Sequence, residues 1–121
     1  MMANQFVWVD IPVLDLDRAS RFYSAVLGAA VTKQSFEGMS FALLPGYETD
    51  VSGCLACSDK DKPSDHGPLI YLNCQGRLDE AVAAASSSGG KVLIPKHQIG
   101  PHGFRAVVMD SEGNRIALHS R

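Results

Sequence analysis

Side chains that could perform acid–base and anion-binding chemistry alternate with apolar residues in parts of the sequence that read as strands. Asp10 lies in the segment FVWVDIPV, residues 6–13, and His119 lies in RIALHS, residues 115–120. An aspartate and a histidine within hydrogen-bond reach of a substrate can act as acid and base. The guanidinium of Arg115 could bind an anionic or carbonyl oxygen. The first hypothesis is therefore that Asp10 and His119 are catalytic and that Arg115 binds the ligand.

Strand alternation predicts which side chains share a face with these three. Successive residues of a strand point to opposite sides of the sheet. One face of three segments is apolar, with Val9, Ile11 and Val13, then Ile70, Leu72 and Cys74, then Ile116 and Leu118. We expect this face to pack on helices. The opposite face then carries the candidate ligand-contacting and catalytic residues Trp8, Asp10, Tyr71, Asn73, Arg115 and His119.

Two other groups of residues are weaker candidates for a functional site. Cys54 and Cys57 form a CxxC spacing, but positions i and i+3 of a strand face opposite sides, so two half-buried small residues are favoured over a chelating pair. His97 and His102 lie in KHQIGPHGF, which we predict to be a loop because of its glycines and proline. Without a third ligand they make a weak metal site, and His102 is the better candidate for the rim of a pocket.

The elements that must position these residues follow from hydrophobic periodicity and turn residues. A helix is predicted from Asp15, a plausible N-cap, to Gly28, which suits a left-handed C-terminal position. The remaining predictions are strands at 6–13, 30–35, 38–44, 52–57, 69–74, 91–95, 104–110 and 115–120, a second helix at 78–88, a hairpin turn at 110–114 and a polar linker at 58–67.

The two halves of the chain repeat one pattern. A shift of 61 positions places Gly28 on Gly89 and Val31 on Val92, and it superposes the apolar positions of the strands around Asp10 and Tyr71. Each half reads as strand, helix and three strands. The sequence therefore predicts one α+β domain, residues 1–121, made of two βαβββ units at about 5–57 and 68–120.

Composition excludes several classes of partner. The chain has 11 Lys and Arg against 13 Asp and Glu, a net charge of −2, so no basic excess favours nucleic acid or an anionic membrane. No apolar run approaches the roughly 18 residues of a membrane span. The first ten residues lack the basic start of a secretion signal, and three cysteines cannot all pair. We expect a cytoplasmic protein with a small-molecule ligand.

Four stretches carry a resemblance to a known family: WVDIPVLDLDRASRFYSAVLG, GPLIYLNC, GGKVLIPKHQIGPHGF and DSEGNRIALHS. Together they resemble the vicinal oxygen chelate superfamily, which includes glyoxalases and bleomycin resistance proteins, and more narrowly the group described as related to lactoylglutathione lyase. The resemblance runs from about Phe6 to Ser120. It implies two βαβββ units whose sheets curve around a cup, and often a homodimer with the cup built between chains.

The resemblance also implies where the metal enzymes of the family would hold their ion. Carried over by motif, three of the four ligand positions fall on Trp8, Leu69 and Ala117, and the fourth lies in segment 52–57, which has no His, Asp or Glu. Indole, isobutyl and methyl groups offer no lone pair to a divalent metal. We therefore predict no metal and no cofactor, and a divalent metal is disfavoured.

Two functions remain open at this stage. One is a binding module, similar to the bleomycin resistance proteins, that holds a small molecule in the cup without metal. The other is a lyase or isomerase acting on a small carbonyl metabolite, with a metal held by unexpected ligands or with Asp10, His119 and Arg115. The ligand contacts would come from Trp8, Tyr71, Asn73, His102 and Arg115. Trp8 could fill the space of the missing metal or stack on a flat ligand. A homodimer is predicted in either case.

Overall fold

The computed structural model describes residues 4–121; the first three residues of the predicted domain lie outside this range. Two βαβββ units follow one another, which confirms the predicted α+β fold. The first unit consists of β1 (Trp8–Pro12), α1 (Leu16–Leu27), β2 (Thr32–Phe36), β3 (Met39–Leu43) and β4 (Ser52–Ala56). The second consists of β5 (Ile70–Asn73), α2 (Leu78–Ser87), β6 (Lys91–Gln98), a short 3-10 turn (Gly100–His102), β7 (Phe104–Met109) and β8 (Arg115–Ser120).

Each unit forms its own four-stranded mixed sheet within residues 4–121. The strand order is β1-β4-β3-β2 in the first sheet and β5-β8-β7-β6 in the second. In both, the opening strand runs parallel to the last strand of its unit, and the other pairings are antiparallel. The helix after the opening strand makes this parallel pairing available, because a parallel strand needs a crossover connection.

One apolar core joins the two units. It lies between the helices and one face of each sheet, and its members include Ile11, Val13, Phe22, Tyr23, Val26, Leu55, Cys74, Ala81, Ala85, Val108, Ile116 and Leu118. The burial agrees with the predicted alternation. Ile11 is 2% exposed, whereas Trp8 on the opposite face is 41% exposed, and Tyr71 on the second sheet is 46% exposed. The face of each sheet that the core does not use is therefore open, and the candidate residues lie there.

The first helix begins and ends where its capping residues predict. The side chain of Asp15 accepts a hydrogen bond from the backbone N–H of Arg18 at 3.0 Å, which satisfies a donor at the helix start. Gly28 has a left-handed φ of 68°, and its N–H donates to the Ser24 carbonyl. These local signals fix the path by which β1 leads into α1.

Glu112, in the hairpin turn between β7 and β8, stabilises the connection between β1 and α1. One carboxylate oxygen of Glu112 accepts hydrogen bonds from the backbone N–H groups of Leu14 and Asp15, both at 2.8 Å. The other accepts from Arg18 Nε at 2.7 Å and from the Ser111 hydroxyl. The last turn of the second unit thus caps the entry to the helix of the first.

A second carboxylate of the same turn is buried against α1. Asp110 is 2% exposed, and one of its oxygens accepts from the Tyr23 hydroxyl at 2.6 Å. Its other oxygen accepts from the backbone N–H groups of Glu112 and Asn114. The Asn114 side chain continues the network by donating to the Pro12 carbonyl at the end of β1. The two units are therefore joined by a buried polar network as well as by the apolar core.

The sixth strand is longer than the sequence indicates. It was expected to end at Pro95, yet β6 continues to Gln98, and the pairing with β7 shifts register between Val92 and Ile94 and again between Ile94 and His97. Such irregularities, on a strand at the edge of the sheet, accommodate a proline that has no N–H to donate. The interpretation of His97 as a loop residue was therefore wrong, because His97 pairs with Arg105 on β7.

Within residues 4–121, neither helix combines the length and the apolar character that crossing a membrane requires.

Candidate functional site

The open face of the first sheet carries a groove, here called the Trp8 groove, of about 830 Å³. Its floor comes from β1, β3 and β4 through Trp8, Asp10, Phe41 and Cys54, and its rim comes from segment 58–62. The volume lies within the ~300–1,000 Å³ that small-molecule pockets occupy. Aromatic and aliphatic walls with a few polar groups form a surface suited to a partly apolar ligand.

Hydrogen bonds fix the floor of the Trp8 groove. The indole Nε1–H of Trp8 donates to Asp10 Oδ1 at 3.0 Å, and the Cys54 thiol donates to the same oxygen at 3.3 Å. Burial raises the pKa of Cys54 to about 11, and its hydrogen bond and proximity to the Asp10 carboxylate contribute further. At neutral pH Cys54 is therefore a thiol that helps to hold Asp10, and it is a poor nucleophile.

The two cysteines of the CxxC spacing differ in their surroundings. Cys54 is buried and Cys57 is exposed. The Cys57 sulfur lies 3.7 Å from the Leu14 carbonyl. Both line the Trp8 groove, so the expectation that they are both half-buried and face opposite sides was wrong. Cys57 follows the end of β4 at Ala56, where strict strand alternation no longer applies.

The open face of the second sheet carries a smaller groove of about 520 Å³, here called the Arg105 groove. It is lined by Tyr71, Ile99, His102, Arg105 and His119. The groove therefore contains three of the predicted site residues, Tyr71, His102 and His119. It contains no aspartate or glutamate among its lining residues.

Arg105 is the residue of this groove that the sequence interpretation missed. It lies on β7 between His97 on β6 and His119 on β8. Its Nε–H donates to His97 Nε2 at 3.1 Å, its Nη1 donates to the Tyr71 hydroxyl, and its guanidinium carbon lies 5.8 Å from the Tyr71 ring centroid. The alternation in FRAVVM could have placed Arg105 on the open face, but only the strand pairing brings it beside Tyr71.

His119 and His102 are joined at the edge of the Arg105 groove. His119 Nε2 lies 2.7 Å from the His102 carbonyl oxygen. A carbonyl oxygen only accepts, so Nε2 of His119 carries the hydrogen. The His119 ring also meets the Tyr71 ring edge-on, with centroids 6.2 Å apart. The position of His119 is thus fixed by its neighbours.

The six residues predicted to share one pocket are divided between the two sheets. Trp8 and Asp10 line the Trp8 groove, whereas Tyr71 and His119 line the Arg105 groove. The predicted acid–base pair of Asp10 and His119 therefore does not meet in one groove of this chain. The reason is that each unit forms a separate sheet. Residues that all face away from the core can therefore line different grooves.

Arg115 and Asn73 line neither groove. Arg115 Nη2 donates to the Gly67 carbonyl at 3.1 Å, which ties β8 to the segment before β5. Asn73 Oδ1 accepts from the backbone N–H of Gln75 at 2.9 Å in the turn after β5. Both side chains make local contacts, and the role expected of Arg115 is better matched by Arg105.

The positions that correspond to metal ligands do not fit a divalent cation. The polar atom of Trp8 is an N–H donor already bonded to Asp10, and Ala117, which is fully buried, offers only a methyl group. Leu69 likewise has no donor atom. Among residues 4–121, no group of three or more His, Cys, Asp or Glu side chains is arranged to hold a metal ion. Trp8, Leu69 and Ala117 therefore could not hold a divalent cation.

A family model matches nearly the whole chain. The model describes the Glyoxalase/Bleomycin resistance protein/Dioxygenase superfamily, and it matches residues 5–118. No functionally curated protein matches the chain significantly.

Solved structures share the fold at low sequence identity. A glyoxalase/bleomycin resistance protein from Albidiferax ferrireducens is similar over 98% of this chain and 99% of its own, with 21% identity and a TM-score of 0.73. A glyoxylase/bleomycin resistance protein/dioxygenase domain from Frankia sp. covers 99% and 98%, at 19% identity and a TM-score of 0.69. A genomically encoded fosfomycin resistance protein from Listeria monocytogenes covers 99% and 95%, at 16% identity and a TM-score of 0.68. At these identities the likeness extends to the fold alone.

Proposed function

Because the chain belongs to the glyoxalase/bleomycin resistance protein/dioxygenase superfamily, we propose that it binds a small, partly apolar molecule in the Trp8 groove without the metal of the family's enzymes. The observation that carries this proposal is the half-exposed indole of Trp8, fixed by Asp10 on the floor of that groove. The cytoplasmic location predicted from cysteine usage remains part of the proposal.

Trp8 is suited to contact a flat ligand. A tryptophan that filled a vacant metal site would be buried, but this one is 41% exposed. Its indole is held in place, so little side-chain freedom remains to be lost when a ring stacks on it. Phe41 and Met39 supply the apolar lining. The rim carries two cations, Lys60 and Lys62, and a carboxylate, Asp61. We infer a ligand with a planar or apolar body and a polar edge.

We expect ligands of the Trp8 groove to quench the fluorescence of Trp8, the single tryptophan of the chain. A panel of planar metabolites and antibiotics, with fosfomycin included because of the similar resistance protein, would be titrated into chelator-treated protein. Trp8→Ala should lower the affinity for the best ligand, measured by calorimetry, roughly tenfold or more, because stacking and apolar contact are lost.

The matched control is Phe104→Ala, which removes an aromatic ring of similar exposure, 40%, outside both grooves. It should leave the affinity within about twofold. Equal affinity in Trp8→Ala would place the ligand elsewhere. A ligand that binds only after Mn²⁺, Ni²⁺ or Zn²⁺ is added would contradict the metal-independent part of the proposal.

We also propose a homodimer whose interface includes exposed apolar side chains outside the two grooves. Two large apolar side chains outside both grooves remain exposed in a single chain: Phe36 is 62% exposed on the first unit and Ile94 is 43% exposed on the second. The outer edges of β1 and β5 have no strand partner among residues 4–121. Exposed apolar surface of this kind is typical of protein interfaces.

Sedimentation equilibrium should give a species of twice the 13.0 kDa chain mass. Phe36→Lys should shift the equilibrium toward the monomer, because it places a charge in the proposed interface. Leu14→Lys is the matched control, since Leu14 is 56% exposed in the connection between β1 and α1, outside both sheets. A single monomeric species at tens of micromolar would overturn the dimer.

The alternative of a lyase or isomerase is less well supported. An acid–base pair must reach the same substrate, and Asp10 and His119 line different grooves of this chain. A raised thiol pKa also argues against Cys54 as a nucleophile.

A further inference from the structure

We propose that the Arg105 groove is a binding site for a small oxyanion, a carboxylate or a phosphate-type group, held by the guanidinium of Arg105 with Tyr71 and His119. The inference does not depend on the function proposed for the Trp8 groove, because the two grooves lie on different sheets and share no lining residue.

The Arg105 guanidinium is held in place by neutral partners. His97 Nδ1 lies 2.9 Å from the Pro95 carbonyl oxygen, which can only accept, so Nδ1 carries a hydrogen. His97 Nε2 accepts from Arg105 Nε and so presents a lone pair, which makes His97 the neutral tautomer. The other partner of Arg105 is the Tyr71 hydroxyl. The cation is therefore positioned without being neutralised.

The charge of Arg105 has no counterion among residues 4–121. Arg105 takes part in none of the four ion pairs formed there, and its side chain is partly buried. A partly desolvated cation without an anion is unfavourable. An anion that entered the groove would relieve this cost, whereas a neutral ligand would not.

The donors that remain match an oxyanion. Arg105 Nη2 makes no hydrogen bond within residues 4–121, so its N–H groups are available. The Tyr71 hydroxyl accepts from Arg105 and keeps its own hydrogen to donate. Two donors beside each other can hold two oxygens of one carboxylate or phosphate. The His119 ring, fixed by the His102 carbonyl, borders the same space.

The test is an NMR titration of ¹⁵N-labelled protein with inorganic phosphate and, separately, with acetate, at constant ionic strength set with sodium chloride. We expect saturable shifts at the Arg105 side-chain Nε–H and at the Tyr71 and His119 amides, with an affinity in the millimolar range. Arg105→Gln should weaken binding roughly tenfold or more. Arg21→Gln, at an exposed position of α1, makes the same charge change. Its anion affinity should stay within about twofold of the wild-type value.

Saturation by phosphate, by acetate or by both supports the site, and the tighter of the two identifies the class of ligand. Shifts that only follow ionic strength, or saturation that persists in Arg105→Gln, would overturn it. If Arg105→Gln does not fold, the wild-type titration and Arg105→Lys, which keeps the charge and should retain measurable binding, still decide the question. If no ligand quenches the fluorescence of Trp8, the outcome of the anion titration at Arg105 is unaffected. The two proposals can therefore fail separately.

Discussion

Glu112→Ala is expected to lower the free energy of unfolding by roughly 3 kcal/mol. The Glu112 side chain is fully buried, and it is the acceptor for the backbone N–H groups of Leu14 and Asp15. Alanine would leave both donors unsatisfied at the start of α1 and would release Arg18. Chemical denaturation monitored by circular dichroism would measure the loss.

Two variants separate the hydrogen bonds of Glu112 from its charge. Glu112→Gln keeps an oxygen that can accept from Leu14 and Asp15 but loses the ion pair with Arg18, so its effect should be intermediate. Glu48→Ala makes the same chemical change at an exposed position and should stay within about 0.5 kcal/mol of the wild type. A loss for Glu112→Ala no larger than that of Glu48→Ala would contradict the role assigned to this turn.

The stabilisation that Glu112 provides should depend on pH. Burial alone would raise the pKa of Glu112, but the hydrogen bonds from Arg18, Asp15, Ser111 and Leu14 outweigh it and lower the pKa from 4.5 to about 2. A carboxyl whose folded pKa is depressed stabilises the fold above its unfolded pKa, and this contribution is lost as pH falls. The stability gap between wild type and Glu112→Gln should therefore narrow between about pH 4.5 and pH 2.

Asp110→Ala is expected to cost roughly 3 kcal/mol as well, and much of this cost should be coupled to Tyr23. Asp110 accepts from the Tyr23 hydroxyl and from the backbone N–H groups of Glu112 and Asn114. Burial, followed by the charge of Asp110, raises the pKa of Tyr23 well above its ordinary value, so the hydroxyl stays protonated as a donor. Removing Asp110 would leave buried donors without an acceptor.

A double-mutant cycle measures that coupling. Tyr23→Phe alone should cost about 1 to 2 kcal/mol, but much less in an Asp110→Ala background, because the hydroxyl has by then lost its acceptor. Tyr47→Phe, whose hydroxyl makes no hydrogen bond within residues 4–121, is the control. Additive costs for Tyr23 and Asp110 would show that the bond contributes little.

Much of the fold could be predicted from local features of the sequence. Apolar residues at alternate positions predicted the core face of β1 and β8, and capping residues at Asp15 and Gly28 predicted the limits of α1 within about a residue. These signals are local, because a strand's faces and a helix's ends depend on neighbouring residues and backbone geometry. The repeat of the pattern predicted the two units for the same reason.

Pairing between strands that are distant in sequence decided the length of β6 and the position of His97. Irregular pairing carries β6 past Pro95 and places His97 beside Arg105, which no local signal in KHQIGPHGF indicated.

The grooves depend in the same way on the sheets that are formed. Alternation predicted that Trp8, Asp10, Tyr71 and His119 face away from the helices, and the tertiary structure places them on two sheets with separate grooves. A strand's sequence fixes which side of its sheet a residue occupies. The packing of the whole chain decides which other strands that side meets, because pairing and core burial are summed over residues far apart in sequence.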